Sequence, residues 1–206
     1  MSHYLASFFL SWLSNPLRVA AIVPSGNALA ELITGDISNR SGPIIELGPG
    51  TGVFTQKLLQ KGVRQEDITL VEYGSDFVRI LQLRFPSARV LWMDAASLPS
   101  VSIAEERSVG AVISGLPLLS MPSRKVRAIL TGAFRHLKAD GAFYQFTYGR
   151  KCPVSRPLLE HLGLTATLMD RTLRNIPPAS VYRITRSPIL DLTANPIAHE
   201  ETPELV

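Results

Sequence analysis

The chain has 206 residues, 46% apolar and 18% charged, which suits one domain with a sizeable core and excludes a disordered composition. A single cysteine, Cys152, excludes an internal disulfide framework and a cysteine-built metal site, and no metal is expected. The net charge of +4 hides an asymmetry, because no lysine or arginine follows Arg186 whereas Asp191, Glu200, Glu201 and Glu204 do.

Between Arg124 and Arg186, 12 basic residues stand against 3 acidic ones. A surface of that sign either favours phosphates, of nucleic acid or of anionic lipid, or merely solubilises the fold. No apolar run is long enough to cross a bilayer. The opening Met1-Ser2-His3-Tyr4 lacks the basic start of a secretory signal. The expectation is a cytoplasmic protein, peripheral to the inner membrane.

Three zones follow in chain order. Residues 1–42 read as N-terminal helices with a proline-bearing joint. Residues 4–13 place Leu5, Phe8, Phe9, Trp12 and Leu13 on one helical side and serines on the other. Such a helix lies in a lipid headgroup boundary or packs on its own domain or a second subunit. Residues 43–186 alternate strands and helices. Strands are predicted at Pro43–Leu47, Ile68–Glu72, Arg89–Met93, Val109–Ser114 and Ala142–Tyr148. Helices are predicted at Val53–Lys61, Ser75–Arg84 and Arg124–Lys138. Residues 165–170 and 179–185 read as a closing strand pair, an antiparallel edge on an otherwise parallel sheet with helices on both faces. Residues 187–206, broken by Pro188, Pro196 and Pro203, read as a loose acidic tail.

The strongest local signal is Glu46-Leu47-Gly48-Pro49-Gly50-Thr51-Gly52, which follows a strand and opens a helix. Glycines there let backbone turn tightly and approach a ligand, and the free N–H groups of the helix start face it. No Gly-Lys-Ser/Thr ends the loop, so it is not a nucleotide-triphosphate loop. Its Gly-x-Gly-x-Gly spacing departs from the dinucleotide fingerprint. Glu46 suits a ligand carrying positive charge, such as a sulfonium with an α-amino group. Glu72, 20 residues beyond Gly52 at the end of the second strand, suits ribose hydroxyls. Asp94, ending the third strand, suits an adenine amino group. Tyr73, Ala95 and Ser114 flank these positions.

Glu46–Gly52, Glu72 and Asp94 resemble the successive cofactor motifs of class I S-adenosylmethionine-dependent methyltransferases. Ile22-Val23-Pro24-Ser25, Ser114-Gly115-Leu116-Pro117, Gln145–Gly149 and Asn175–Arg183 narrow the likeness. Together they resemble the bacterial phospholipid N-methyltransferases, which are similar to the ribosomal RNA adenine dimethyltransferases. The resemblance spans most of residues 8–186, with departures at Ala20 and Gly26. It implies a Rossmann-like α/β fold with a mostly parallel seven-stranded sheet. It also implies S-adenosylmethionine as cofactor and stepwise methylation of phosphatidylethanolamine towards phosphatidylcholine at a membrane surface, and it includes members that act on ornithine lipids.

Adenine methyltransferases of nucleic acid carry an aromatic after the proline that stacks on the extruded base. Here Leu118 and Leu119 follow Pro117, which favours a substrate other than nucleic acid. Two other readings stand beside the lipid enzyme: an RNA adenine methyltransferase, and a cofactor-binding protein without methyl transfer. For the reacting centre the candidates are Tyr148, the Gly115 carbonyl and the Ser114 hydroxyl, although Tyr148 equally reads as a core tyrosine. Tyr182, Arg183 and Arg186 are candidates for a lipid phosphate. Asn175 with Pro177-Pro178, and Pro24 with Ser25, are candidates for walls of the substrate site.

Overall fold

The computed structural model describes residues 23–103, 106–148, 150–173 and 178–188. Helix α1 (Val23–Ile33) precedes β1 (Ile44–Leu47), α2 (Val53–Gln60), β2 (Ile68–Glu72), α3 (Ser75–Arg84) and β3 (Arg89–Trp92). Then come β4 (Val109–Ser114), α4 (Ser123–His136), β5 (Leu137–Thr147), α5 (Arg156–His161), β6 (Leu164–Thr172) and β7 (Ala179–Arg186), with short 3-10 turns at Gln65–Asp67, Ala95–Ser100 and Leu118–Ser120. One seven-stranded sheet runs in the order β3-β2-β1-β4-β5-β7-β6. Strands β1 to β5 pair parallel, while β7 is antiparallel to both β5 and β6. This is the Rossmann-like class I methyltransferase fold that the resemblance implies.

The local reasons are simple. Strand β1 reads Ile-Ile-Glu-Leu and is buried at every position, as a central parallel strand covered on both faces must be. In α4, Val126, Ile129, Leu130 and Ala133 recur at helical spacing and are all fully buried. They build one core layer with Val112, Phe143 and Ile184 of the sheet and Leu159 of α5. The opposite face buries Leu29 and Ile33 of α1, Leu58 of α2 and Leu81 of α3 against Ile44, Leu70 and Ile113.

Two departures from the sequence expectation concern β5 and α5. The helix expected to run to Lys138 ends at His136, and β5 begins at once with Leu137, which pairs with Val109. Leu137 is fully buried and continues the helical stripe as readily as it starts a strand, so periodicity alone does not separate the two. Helix α5 falls in a stretch with no predicted element. Residues 1–22, with the amphipathic helix expected at 4–13, lie outside the described residues, as does most of the tail.

The end of α4 also corrects a site assignment. Arg186, expected to hold a lipid phosphate, instead donates through Nη2 to the carbonyls of Phe134 (2.6 Å) and Leu137 (3.1 Å), and through Nη1 to Lys138 (2.5 Å). It closes the helix C-terminus, where unpaired carbonyls and the dipole favour a cation. This is the edge where β5 begins, opposite its site-facing end. Arg186→Ala is expected to cost about 2 kcal/mol of stability and to leave cofactor affinity unchanged, as read by denaturant unfolding and calorimetry.

Candidate functional site

Strands β1, β2 and β4 stop in register. Leu47 aligns with Val71 and with Ser114, and Glu72 aligns with Trp92 of β3. Gly48, Glu72, Asp94 and Ser114 therefore emerge along one sheet edge, where ligands bind in open α/β sheets. The loop between β1 and α2 turns through three left-handed glycines, Gly48 (φ 64°), Gly50 (φ 57°) and Gly52 (φ 81°). A side chain at Gly48 meets Leu116 at 2.6 Å, and one at Gly52 meets the Phe85 ring. Pro49 and Gly50 are buried, with Thr51 half-buried between Gly50 and Gly52.

Two carboxylates organise this loop. Glu72 accepts from the backbone N–H groups of Tyr73 and Gly74 on Oε1 (2.8 Å each) and from Gly50 on Oε2 (3.1 Å). Its Oε2 keeps acceptor capacity for a ligand hydroxyl. Glu46 is wholly buried. Its Oε2 accepts from the Thr55 hydroxyl at 2.6 Å, and its Oε1 has no partner. Burial pushes the Glu46 carboxyl up to about 7, against the pull of Thr55 and with a further push from the Glu72 charge. An orphaned buried carboxylate oxygen beside a bare glycine turn fits a cationic ligand, and the residues present fit S-adenosylmethionine.

Asp94 plays a more local part than expected. Its Oδ1 accepts from Ala96 N–H at 2.9 Å and caps the 3-10 turn, while its Oδ2 pairs with Lys125 at 2.7 Å. Burial works to raise its pKa, but Lys125 and the Ala96 N–H together hold it below the usual value. Ala95 beside it is buried, whereas Tyr73 is exposed. Lys125 escaped the sequence reading because its partner comes from 31 positions away.

Around β5 the edge is polar on one face and aromatic on the other. Ser114, Gln145, Thr147 and Ser180 are buried together, aligned by the pairs Ser114–Gln145 and Thr147–Ser180. Gln145 Nε2 donates to the carbonyls of Leu116 (3.0 Å) and Phe146 (2.8 Å). On the opposite face Phe146 lies edge-on to Tyr148 (centroids 5.3 Å apart) and to Phe54 (6.0 Å). Tyr148 is half-buried. Gly115 donates to the Leu47 carbonyl at 2.8 Å and ties β4 to the cofactor loop.

The remaining candidates divide. Gly26 of α1 lies against Val53 at the start of α2, which sets the first turn of α1 beside the helix that follows the glycine loop. Asn175 lies outside the described residues. Tyr182 is buried, and its hydroxyl donates to the Arg150 carbonyl at 2.7 Å; it supports the segment after β5. Arg183 is a second correction. It faces Asp36 at 3.9 Å in a crevice of about 260 Å³ shared with Arg40, Lys138 and Asp140, towards the edge where β5 begins. Because β7 runs antiparallel to β5, its later residues recede from the site. Arg150 and Lys151, beyond the end of β5, are exposed cations.

The fold is that of the class I S-adenosylmethionine-dependent methyltransferases, and the glycine turn with its carboxylates fits that cofactor. Residues 44–141 match the methyltransferase-domain family. The chain is similar to ornithine lipid N-methyltransferase of Singulisphaera acidiphila, with 26% identity over 187 residues that cover 87% of this chain and 92% of the relative. It is also similar over 74 residues to ribosomal RNA small subunit methyltransferase A of Maridesulfovibrio salexigens, at 35% identity, covering 36% of this chain and 27% of that protein. Among solved structures, a TehB-like methyltransferase of Corynebacterium glutamicum superposes with a TM-score of 0.59 at 17% identity, over 91% of this chain and all of that one. A Burkholderia thailandensis N-methyltransferase solved with S-adenosylhomocysteine gives a TM-score of 0.61 at 16% identity, over 89% of this chain and 88% of its own.

Proposed function

We propose that this chain methylates the amine of a phospholipid headgroup at a membrane surface, converting phosphatidylethanolamine stepwise towards phosphatidylcholine. The observation that carries the reading is the segment after β4. Leu118 is buried and Leu119 is 64% exposed, so no aromatic face stands where an extruded base stacks. The near full-length likeness to a lipid N-methyltransferase supports the same reading. Exposed Tyr73, Trp92 and Leu173 lie at strand ends of the site edge and Leu119 in the 3-10 turn after β4, a rim that suits acyl chains and headgroups. Among the described residues no helix is long and apolar enough to cross a membrane.

S-adenosylmethionine supplies a methyl already made electrophilic by its sulfonium. In this reading Glu46 holds the cofactor's cationic end, Glu72 its ribose, and Asp94 with Ala95 its adenine. The protein's remaining task is to hold a deprotonated amine in line behind the methyl. Neither described histidine lies at this edge: His136 ends α4 and His161 ends α5. In this reading the half-buried Tyr148 ring, one residue past the end of β5, offers a face to methylated ammonium intermediates. The exposed Arg150 and Lys151, in the same reading, bind the headgroup phosphate.

Tyr148→Phe is expected to slow turnover about tenfold, the scale of one lost hydrogen bond, and to spare cofactor affinity; an unchanged rate removes the hydroxyl from the chemistry. The function itself is tested with radiolabelled S-adenosylmethionine offered in parallel to phosphatidylethanolamine liposomes, ornithine-lipid liposomes and RNA. Label in the chloroform phase is expected, and label in RNA alone overturns the reading. The RNA alternative keeps one observation in its favour, the local match to a ribosomal RNA methyltransferase.

A further inference from the structure

Two buried acceptors at the site edge have no partner: Gln145 Oε1 and Thr147 Oγ1. Their residues are 1% and 4% exposed. Buried polar atoms without partners are rare and costly in a folded protein. The amide orientation of Gln145 is fixed by chemistry, since its nitrogen faces two carbonyls, Leu116 and Phe146, that only accept. Its oxygen is therefore the free end.

Both residues point to the same face of β5, two positions apart, or roughly 7 Å along the strand. Gln145 aligns with Ser114, and Ser114 aligns with Leu47, the residue before Gly48. Gln145 thus lies two strand spacings, roughly 10 Å, from the start of the cofactor loop. The surrounding groups, Ser114 and the 115–118 turn, are neutral. Among the described residues none of these groups takes part in an ion pair.

We propose that Gln145 Oε1 and Thr147 Oγ1 are the acceptors that receive the N–H groups of the substrate amine and orient its lone pair towards the methyl donor. This rests on the lipid-amine reading above and deepens it. Neutral acceptors suit a group that must be uncharged when it reacts, because a carboxylate in their place would hold the amine as ammonium. The arrangement also sets a preference. A primary amine offers two N–H groups to the two acceptors, a monomethylamine one, and a neutral dimethylamine none. The pocket therefore selects for the less methylated substrate.

Thr147→Val is the decisive variant. It keeps the shape of the side chain and removes an atom that has no protein partner, so folding stability is expected to hold or rise. The rate constant kcat/KM for phosphatidylethanolamine in mixed micelles is expected to fall about tenfold. The loss is expected to shrink for monomethyl-phosphatidylethanolamine and to vanish for the dimethyl lipid, with cofactor affinity unchanged. Gln145→Met is expected to give the same graded pattern, although it also removes the N–H donor to the Leu116 and Phe146 carbonyls. An equal loss on all three lipids makes the role structural and overturns the proposal, as does no loss at all.

A binding arm separates this from the function it rests on. Enzyme saturated with S-adenosylhomocysteine is titrated with phosphoethanolamine and with phosphocholine. The wild type is expected to prefer phosphoethanolamine, and Thr147→Val to erase that preference. If the wild type labels no lipid yet shows this preference, the substrate assignment fails and the amine site stands. If it labels lipid but shows no preference that Thr147→Val changes, the site fails and the function stands.

Discussion

Replacing Glu72 with alanine is expected to abolish measurable cofactor binding, a loss of more than about 100-fold in affinity. The side chain does two jobs at once. Three backbone N–H groups, of Gly50, Tyr73 and Gly74, end on its carboxylate, and the alanine variant leaves all three without that acceptor. The cofactor loop then loses the tie between Gly50 and β2, and a ribose hydroxyl loses its acceptor. Glu72→Gln distinguishes the two contributions. Its amide oxygen still serves Tyr73 and Gly74, while its nitrogen opposes the Gly50 N–H and accepts nothing. A fold that melts close to the wild type with affinity reduced at least about tenfold is the expected result. Full affinity in Glu72→Gln, read by calorimetry, refutes the ribose assignment.

Glu46 produces the second large effect, and it runs in opposite directions for stability and binding. Burial raises the carboxyl from 4.5 to about 7 in the folded protein. Between those values the unfolded chain ionises while the folded one stays protonated. The free protein therefore loses stability as pH rises from about 4.5 to about 7, in total about 3 kcal/mol. Glu46→Gln removes that dependence and is expected to raise the melting temperature of the free protein at pH 8. Binding behaves in reverse, because a cationic ligand needs the ionised form. Cofactor affinity is expected to fall below about pH 7 by up to tenfold per pH unit, and this slope is expected to disappear in the glutamine variant along with most of the affinity. A pH-independent wild-type affinity between 6 and 8 contradicts the pairing.

Much of the architecture is legible in the sequence because its signals are local. The four residues of β1 are buried throughout, and an apolar run ending in a glycine loop marks that strand without knowledge of its neighbours. The bounds of β2, α3 and β4 agree with the sequence pattern to the residue. Helix α5 was legible in principle, since Ser155 precedes Arg156 and Pro157 stands in its first turn. It is too short for a hydrophobic period to announce it. The end of α4 was not legible, because Leu137 suits a helix stripe and a strand equally, and the cation that closes the helix comes from β7.

The sequence by itself determined the alternation of strands and helices, the glycine turn and the acids at strand ends. These depend on neighbours a few positions apart. The tertiary structure alone decided which edge each side chain serves. Arg183 and Arg186 share a segment with Ser180, yet the antiparallel direction of β7 carries them away from the site while Ser180 stays beside Thr147. It also decided which polar atoms are left alone. Gln145 and Thr147 carry no local sign of it in the chain, and only long-range register buries one oxygen of each without a partner. Burial and hydrogen-bond satisfaction belong to the packed whole, so no local pattern encodes them.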